Sequence, residues 1–238
     1  MTPEKKRQRR LVTPARRGEF PVSKRQANVT RTHAKIIAAV RDMLSDGGFS
    51  SLNLGDVQKR AGVARSTIHY QFDSRVGVLQ ALVDDALTRS QFDLVRQAYS
   101  IRDAVEALQV SIKQICHFWA SDYVVFRRLT ALAVMDSDAY AALQKFEDER
   151  YKRACELVDK LVAQHRLAPG YSWDRAVGLV CLATSYQAFE QLLLALGTQT
   201  QVAKTLVAIC RCLYDENSTG FASDEDGTEG NRPHFALT

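Results

Sequence analysis

The chain has 238 residues, of which 46% are hydrophobic and 25% charged, so it can bury one large core or two smaller ones. No apolar run reaches the roughly 18–20 residues that cross a membrane, and we expect neither a membrane span nor a secretory signal. The five cysteines include no CxxC pair, which favours a reduced, cytoplasmic setting. Long segments with helical periodicity and few alternating β-branched residues predict an all-α fold.

The net charge of +5 is unevenly distributed. Residues 1–31 hold ten Lys and Arg against Glu4 and Glu19, a local net charge of +8, whereas residues 215–238 carry −5. Polar composition and prolines predict a disordered basic arm over 1–29 and a disordered acidic tail over 215–238. The arm could follow the minor groove of DNA or remain a solvated tail, and the sequence favours neither.

A first helix is predicted over residues 30–46. Ile36, Val40 and Leu44 fall on one face of it, and the glycine pair at 47–48 ends it. Residues 30–75 as a whole predict a three-helix domain that contains the motif described next.

Two short helices are predicted over Leu54–Ala61 and Arg65–Phe72, joined by a three-residue turn at 62–64 that begins with glycine. Asn53 is suited to cap the first of them, with Asp56 three residues further on. Two short helices joined in this way are the helix-turn-helix signature, a unit that places its second helix in the major groove of double-stranded DNA. The sequence therefore predicts a DNA-binding domain.

The second short helix has two chemically different faces. Ile68 and Phe72 are predicted to point inward, and the opposite face is polar and aromatic. An arginine at the start of such a helix can read guanine through two hydrogen bonds, and the motif favours this role for Arg65 over the alternative of a solvated surface side chain. The predicted DNA-binding residues are Arg31, Asn53, Arg65, Ser66, Thr67, His69, Tyr70 and Arg75.

Arg75 is predicted to begin the next helix. A cation opposes the helix dipole there, and a DNA phosphate would make the site favourable. An ion pair with Asp73 or Asp42 is the alternative for Arg75. Arg31, at the predicted start of the first helix, is likewise predicted to contact a DNA phosphate.

Further helices are predicted from residue 75 into the 90s, from about 103 to 119, and over 123–135, 138–166, 174–197 and 200–214. Together they form a larger helical domain over residues 76–214. GxSxG, GxxxxGK[ST], HExxH and GxGxxG motifs are absent, so we expect no enzyme, no cofactor and no metal site.

Residues 31–80 resemble the N-terminal domain of the tetracycline-repressor (TetR) family of transcriptional regulators. The matching positions are Ala61-Gly62-Val63, Thr67-Ile68, Phe72 and Ser74-Arg75. The chain departs from the family pattern where His69 replaces a tyrosine, Arg75 a lysine and Gln58 a small residue. The remaining helices are similar to the family only in number and length.

The resemblance implies a repressor that binds a palindromic operator as a homodimer. The last two helices would form a four-helix bundle with those of a second copy, and the helices from about 100 to 197 would enclose a small-molecule ligand. Ligand binding would shift the fourth helix and release the DNA. The mixture of apolar and aromatic residues suggests a mostly apolar effector.

Aromatic and apolar residues of the C-terminal helices supply the candidate sites. The ligand candidates are Trp119, Tyr123, Phe126, Tyr140, Tyr186 and Phe189, which could equally be core. The dimer candidates are Val177, Leu182, Ser185, Phe189, Leu192, Leu206, Ile209 and Leu213.

Two other functions stay open at the level of sequence. One is a nucleoid-type protein that binds DNA without sequence choice, which the basic arm would suit. The other is a thiol- or metal-responsive regulator, with Cys116-His117 as its best starting point, although most of the cysteines are typical of buried small apolar residues.

Overall fold

The computed structural model describes residues 24–46, 52–90 and 100–215. These residues form ten α-helices and a short 3-10 helix over Arg211–Leu213, which confirms the predicted all-α fold. The α-helices are α1 Lys24–Asp46, α2 Leu54–Ala61, α3 Arg65–Phe72, α4 Arg75–Arg89, α5 Ala104–Ser121, α6 Tyr123–Ala133, α7 Ser137–Ala163, α8 Trp173–Thr184, α9 Tyr186–Leu196 and α10 Gln199–Cys210. The predictions for residues 1–23, the glycine pair at 47–48 and the tail from 216 lie outside the described residues.

Helix α1 begins at Lys24, six residues before the predicted start, so the disordered arm was predicted too long. Neither proline nor glycine interrupts residues 24–46, and the backbone can therefore continue the helix toward the N-terminus. Thr30 and Thr32 each donate a hydroxyl hydrogen bond to the carbonyl four residues earlier, at 3.1 and 2.9 Å, as expected inside a helix.

The single helix predicted over residues 174–197 is wrong, because α8 and α9 meet at Ser185 with a bend of 53°. Ser185 has extended backbone angles, φ −74° and ψ 151°. Its Oγ accepts a hydrogen bond from the Ala188 N–H at 3.1 Å and so caps α9. Periodicity continues through such a break, which is why the sequence suggested one helix.

Side chains from two other helices stabilise this bend. Arg150 of α7 donates from Nη1 to the Cys181 carbonyl at 2.6 Å, and Trp119 of α5 donates from Nε1 to the Thr184 carbonyl at 3.1 Å. Both carbonyls lie at the end of α8, where a helix loses its own donors. The bend is therefore fixed by tertiary contacts.

The core of the C-terminal helices is aromatic. Trp119 lies 5.0 Å from Phe126, 5.3 Å from Phe146 and 5.4 Å from Tyr186 between ring centroids, each at a steep interplanar angle. Edge-to-face pairs of this kind contribute about 0.5–1.5 kcal/mol beyond their buried area. Helix α4 packs against α7, and α1 against α6, so this core continues into the N-terminal helices.

Among the described helices, none is by itself long and apolar enough to cross a membrane. The bent pair α8 and α9 passes that test jointly, on length and composition only.

Candidate DNA interface and its links to the C-terminal helices

The turn between α2 and α3 has the geometry that its sequence predicts. Asn53 caps α2 by accepting a hydrogen bond from the Asp56 N–H at 2.9 Å, and its amide donates to the Asp56 carboxylate at 2.6 Å. Gly62 adopts left-handed angles, φ 63° and ψ 40°, which glycine reaches without a Cβ clash. Asn53 is thus engaged in the cap, and its predicted contact with DNA stays a prediction.

Helix α3 buries one face and exposes the other. Ile68 and Phe72 are 1% and 7% exposed and pack into the core, as predicted. The exposed face carries Arg65, Ser66, His69 and Tyr70, and Thr67 is half-buried beside it. Tyr70 is 77% exposed, unusual for an aromatic side chain without a partner surface.

His69 is oriented by the end of its own helix. Its Nδ1 lies 3.1 Å from the Asp73 carbonyl oxygen, which can only accept, so Nδ1 carries the proton. The other ring nitrogen, Nε2, has no hydrogen bond with the residues that the structure describes, so it is in position to meet a group of the DNA.

Arg65 differs from most arginines near the helix-turn-helix in having no hydrogen bond or ion pair with the residues that the structure describes. Arg60 pairs with Asp46, and Arg41 with Asp85 and Asp122. An exposed, unpaired cation at the start of α3 is in position to contact an anion or a base edge.

Arg31 is exposed like Arg65 but is not where the sequence placed it. It is the eighth residue of α1 rather than its first, so the helix-terminus argument for a phosphate at Arg31 is wrong. A DNA contact by this exposed side chain remains a prediction.

Arg75 is bound by two aspartates further along the chain. Its guanidinium forms two parallel 2.8 Å hydrogen bonds with Asp136, just before α7, and a 3.1 Å bond with Asp138. It also donates to the Leu52 carbonyl, and its side chain is only 18% exposed. The Arg75 side chain is thus already engaged in this conformation, and its predicted phosphate contact stays a prediction.

The partner of Arg75 is neither Asp73 nor Asp42, which were the predicted alternatives. Asp136 lies 61 residues further along the chain. A single sequence does not indicate which residues pair across such a separation. The pair joins the start of α4, directly after the recognition helix, to the start of α7.

The hydrogen bonds from Arg75 hold the pKa of Asp136 at about 2, below its ordinary value of 3.8. This pair therefore stabilises the fold fully above pH 4, and its contribution disappears as pH falls from about 4 to 2. We expect the wild type to lose about 1–2 kcal/mol of unfolding free energy across that window through this pair. Urea unfolding at pH 4.5 and 2.5 measures the loss, and Asp136→Asn should show a smaller one.

Helix α6 is joined to the N-terminal helices at both ends. Asp122, directly before α6, accepts a 3.0 Å hydrogen bond from Arg41 of α1 and another from Arg89 of α4. Near the middle of α6, Arg128 donates to the Leu44 carbonyl at the end of α1. Asp136, beyond its C-terminus, binds Arg75. A displacement of α6 must therefore act on α1 and α4.

Sequence reasoning missed Gly77, in the first turn of α4. A Cβ placed on this glycine would lie 2.0 Å from the backbone oxygen of Phe72, the last residue of α3. The absence of a side chain thus allows α4 to follow the recognition helix at very close range. The sequence feature that could have indicated this close approach is a glycine three residues after the helix cap Ser74. The Ser74 Oγ accepts a hydrogen bond from the Gly77 N–H at 3.1 Å.

The predicted ligand residues separate into three groups. Trp119, Phe126, Tyr186 and Phe189 are at most 2% exposed and pack together as core. Tyr123 is half-buried and lies beside Tyr186, with ring centroids 6.4 Å apart. Tyr140 is 53% exposed on the surface of α7, so its prediction as a pocket residue is wrong.

Most of the predicted dimer residues serve the chain's own core. The buried ones are Val177, Ser185, Phe189, Leu206 and Leu213. They cannot reach a second copy in this conformation, because these side chains are packed inside the chain's own fold. Leu192 is half-buried, whereas Leu182 and Ile209 are 57% and 46% exposed.

The five cysteines are free. Burial raises the pKa of Cys116 and of Cys210 to about 12, which leaves little reactive thiolate at neutral pH. Cys212, in the 3-10 helix, is exposed. Within the described ranges, no group of three His, Cys, Asp or Glu residues could hold a metal ion.

The helix-turn-helix region matches a known family. Residues 36–82 match the sequence model of bacterial regulatory proteins, tetR family. The helix-turn-helix region of this chain is therefore that of a tetR-family regulator. This supports a DNA-binding role in transcription regulation, and members of the family often dimerise and bind small molecules.

The proteins that this chain is similar to are distant in sequence. YvdT of Bacillus subtilis (strain 168), an uncharacterised HTH-type transcriptional regulator, is 20% identical over 144 residues, 58% of this chain and 71% of YvdT. The structure of NalD, secondary repressor of the MexAB-OprM multidrug efflux pump of Pseudomonas aeruginosa, is similar with a TM-score of 0.62. That similarity covers 80% of this chain and 100% of NalD at 16% identity, and it shows a shared fold.

A proposed transcriptional regulator from Saccharomonospora viridis, in complex with choline, has the same fold. Its TM-score is 0.57 at 13% identity, over 79% of this chain and 100% of that one. The shared fold thus extends over both the helix-turn-helix and the C-terminal helices.

Proposed function

We propose that this protein is a ligand-responsive repressor that binds a palindromic operator as a homodimer. The observation that carries the proposal is the outer face of α3, where Arg65 is exposed and unpaired among the described residues while its neighbours Ile68 and Phe72 are buried. A helix held in this way can enter the major groove without unfolding any of its own contacts.

The exposed side chains of α3 make different kinds of contact with DNA. Arg65 reads a base edge, and His69 and Tyr70 contact phosphate, sugar or the thymine methyl group. Ser66 and Thr67 are short enough to bond either a base or a phosphate. The exposed Arg31 adds a phosphate contact from α1.

Release of DNA by a ligand would use α6. This helix is bonded to α1 and α4 through Asp122, Arg128 and Asp136, so a ligand that shifts it changes the position of α4 and the recognition helix. A protein of the same fold, the Saccharomonospora viridis regulator, was solved in complex with choline, which supports a small-molecule ligand for this protein.

The homodimer would use exposed apolar side chains on the last three helices. Leu182, Leu194 and Ile209 are 57%, 64% and 46% exposed on α8, α9 and α10. Contact with a second copy would remove these apolar side chains from water, and the hydrophobic effect makes that burial favourable. This interface keeps Leu182 and Ile209 from the predicted set and adds Leu194.

Selection from a random duplex library tests the proposal. We expect an enriched inverted repeat that the protein binds roughly 10³-fold or more tightly than scrambled DNA at physiological salt. Arg65→Ala should lose about 1–3 kcal/mol on the selected site and much less on scrambled DNA, since a base contact carries discrimination.

Lys152→Ala is the matched control, because Lys152 lies on α7 in an exposed pair with Glu149. It should leave both affinities unchanged. Equal losses on both duplexes by Arg65→Ala would contradict base reading. Selection without enrichment, with binding that vanishes as salt rises, would instead establish a DNA-coating protein of the nucleoid type.

A further inference from the structure

One carboxylate among the C-terminal helices faces two tyrosines. Glu190 of α9 accepts hydrogen bonds at Oε1 from the Tyr186 hydroxyl at 3.2 Å and from the Tyr123 hydroxyl at 3.4 Å. The two rings are 6.4 Å apart and inclined by 30°. The site therefore combines one negative charge with two aromatic faces at the junction of α6 and α9.

The Glu190 carboxylate has one cationic partner in this structure. Its Oε1 accepts both tyrosine hydrogen bonds and lies 3.2 Å from the Arg127 Nε. The Glu190 side chain is 21% exposed, so a ligand has a route to it.

Arg127 supplies the positive charge at this site but is 59% exposed. An ion pair this open contributes only about 0.2–1 kcal/mol. A ligand cation can therefore take the place of Arg127 with little loss of stability.

The aromatic wall is neutral and fixed in place. Burial raises the pKa of Tyr186, so its hydroxyl stays protonated and donates to Glu190. Tyr186 is 2% exposed and is packed against the edge of Trp119 at 5.4 Å. The half-buried Tyr123 is the ring that a ligand can reach, and a cation within about 6 Å of a ring face is attracted by its negative surface.

We propose that Glu190 and Tyr123 bind an organic ammonium ion that carries apolar substituents, with the buried Tyr186 holding the carboxylate in position. The carboxylate selects the charge, and the Tyr123 ring accepts the alkyl groups. The inference rests on the proposed ligand-responsive function and names its ligand class, which replaces the mostly apolar effector suggested by composition.

The site is directly connected to the DNA-binding helices. Tyr123 follows Asp122, whose carboxylate binds Arg41 of α1 at 3.0 Å and Arg89 of α4. A ligand that draws Tyr123 away from Glu190 therefore moves the residue next to this junction.

The test compares choline chloride with 3,3-dimethylbutan-1-ol, in which carbon replaces the charged nitrogen. Binding is followed by calorimetry and by Trp119 fluorescence in a Trp173→Phe background, which leaves Trp119 as the one tryptophan. We expect choline to bind and the neutral alcohol not to.

Three variants distinguish a specific effect on choline affinity from a general loss of folding. Glu190→Gln should weaken choline binding about ten-fold or more, and Glu149→Gln, an exposed carboxylate on α7, should not. Arg127→Ala should strengthen it roughly two- to five-fold, because it removes the competing cation.

Equal binding of the two probes, no binding of choline, or an unchanged affinity in Glu190→Gln would overturn the ammonium site. These titrations contain no DNA. A protein that recognises its selected operator but fails them would retain the proposed function. One that passes them without any sequence preference would lose the function and retain the site.

Discussion

Replacing Gly77 by alanine is expected to lower the free energy of unfolding by about 3 kcal/mol or more. The new Cβ would lie 2.0 Å from the Phe72 carbonyl oxygen, roughly 1 Å closer than real Cβ atoms approach. That oxygen also accepts a 2.6 Å hydrogen bond from the Ser74 N–H, so it cannot yield easily. Relief requires that α3 and α4 move apart, and urea unfolding measures the cost.

The displacement of α3 from α4 should also weaken DNA binding. When the recognition helix is displaced from α4, Arg65 no longer lies at the position in the major groove that the dimer requires. Affinity for the selected operator should therefore fall about ten-fold or more. Binding to scrambled DNA, which depends on charge, should change less.

Gly178→Ala is the control for a glycine inside a helix. An added Cβ at Gly178 meets nothing within 4 Å, and the residue is exposed on α8. Alanine there should stabilise the protein by about 0.5–1 kcal/mol through helix propensity. Equal stability of the two variants would contradict the steric argument at Gly77.

The local part of this structure was predictable from the sequence. The Asn53 cap, the glycine turn at 62–64 and the buried pair Ile68 and Phe72 follow from short-range chemistry, and all were found as predicted. Residue types at fixed short spacings determine such features.

Long-range pairing was not predictable. Nothing near Arg75 in the sequence indicates Asp136, and a helix-terminal arginine is equally consistent with a phosphate. For the same reason periodicity marked Val177 and Leu206 as apolar but could not tell the chain's own core from a dimer interface. The bend at Ser185 depends on Arg150 and Trp119, which only tertiary structure brings there.

Arg75→Met is expected to lower the free energy of unfolding by about 2–3 kcal/mol. Arg75 and Asp136 are 18% and 21% exposed, between a surface pair and a fully buried one. The variant keeps the apolar stem but leaves two carboxylates, Asp136 and Asp138, without their cation. Lys152→Met, which breaks an exposed pair, should cost less than about 0.5 kcal/mol.

Asp136→Asn separates the ion pair from the helix cap. Asp136 also accepts hydrogen bonds from the N–H groups of Asp138 and Ala139, and asparagine is an equally good N-cap. The loss in this variant should therefore come from the missing charge alone. Arg75→Met in the Asp136→Asn background should cost less than in the wild type, because the two share one interaction.

The salt dependence of DNA binding decides between the two roles of Arg75. A side chain held by Asp136 releases no counterion from DNA, so the slope of log affinity against log salt should be the same in Arg75→Met and the wild type. A phosphate contact would instead reduce the slope by about 0.9. If the slope falls by that amount, Arg75 leaves Asp136 when DNA binds, and the link between α4 and α7 is broken in the complex.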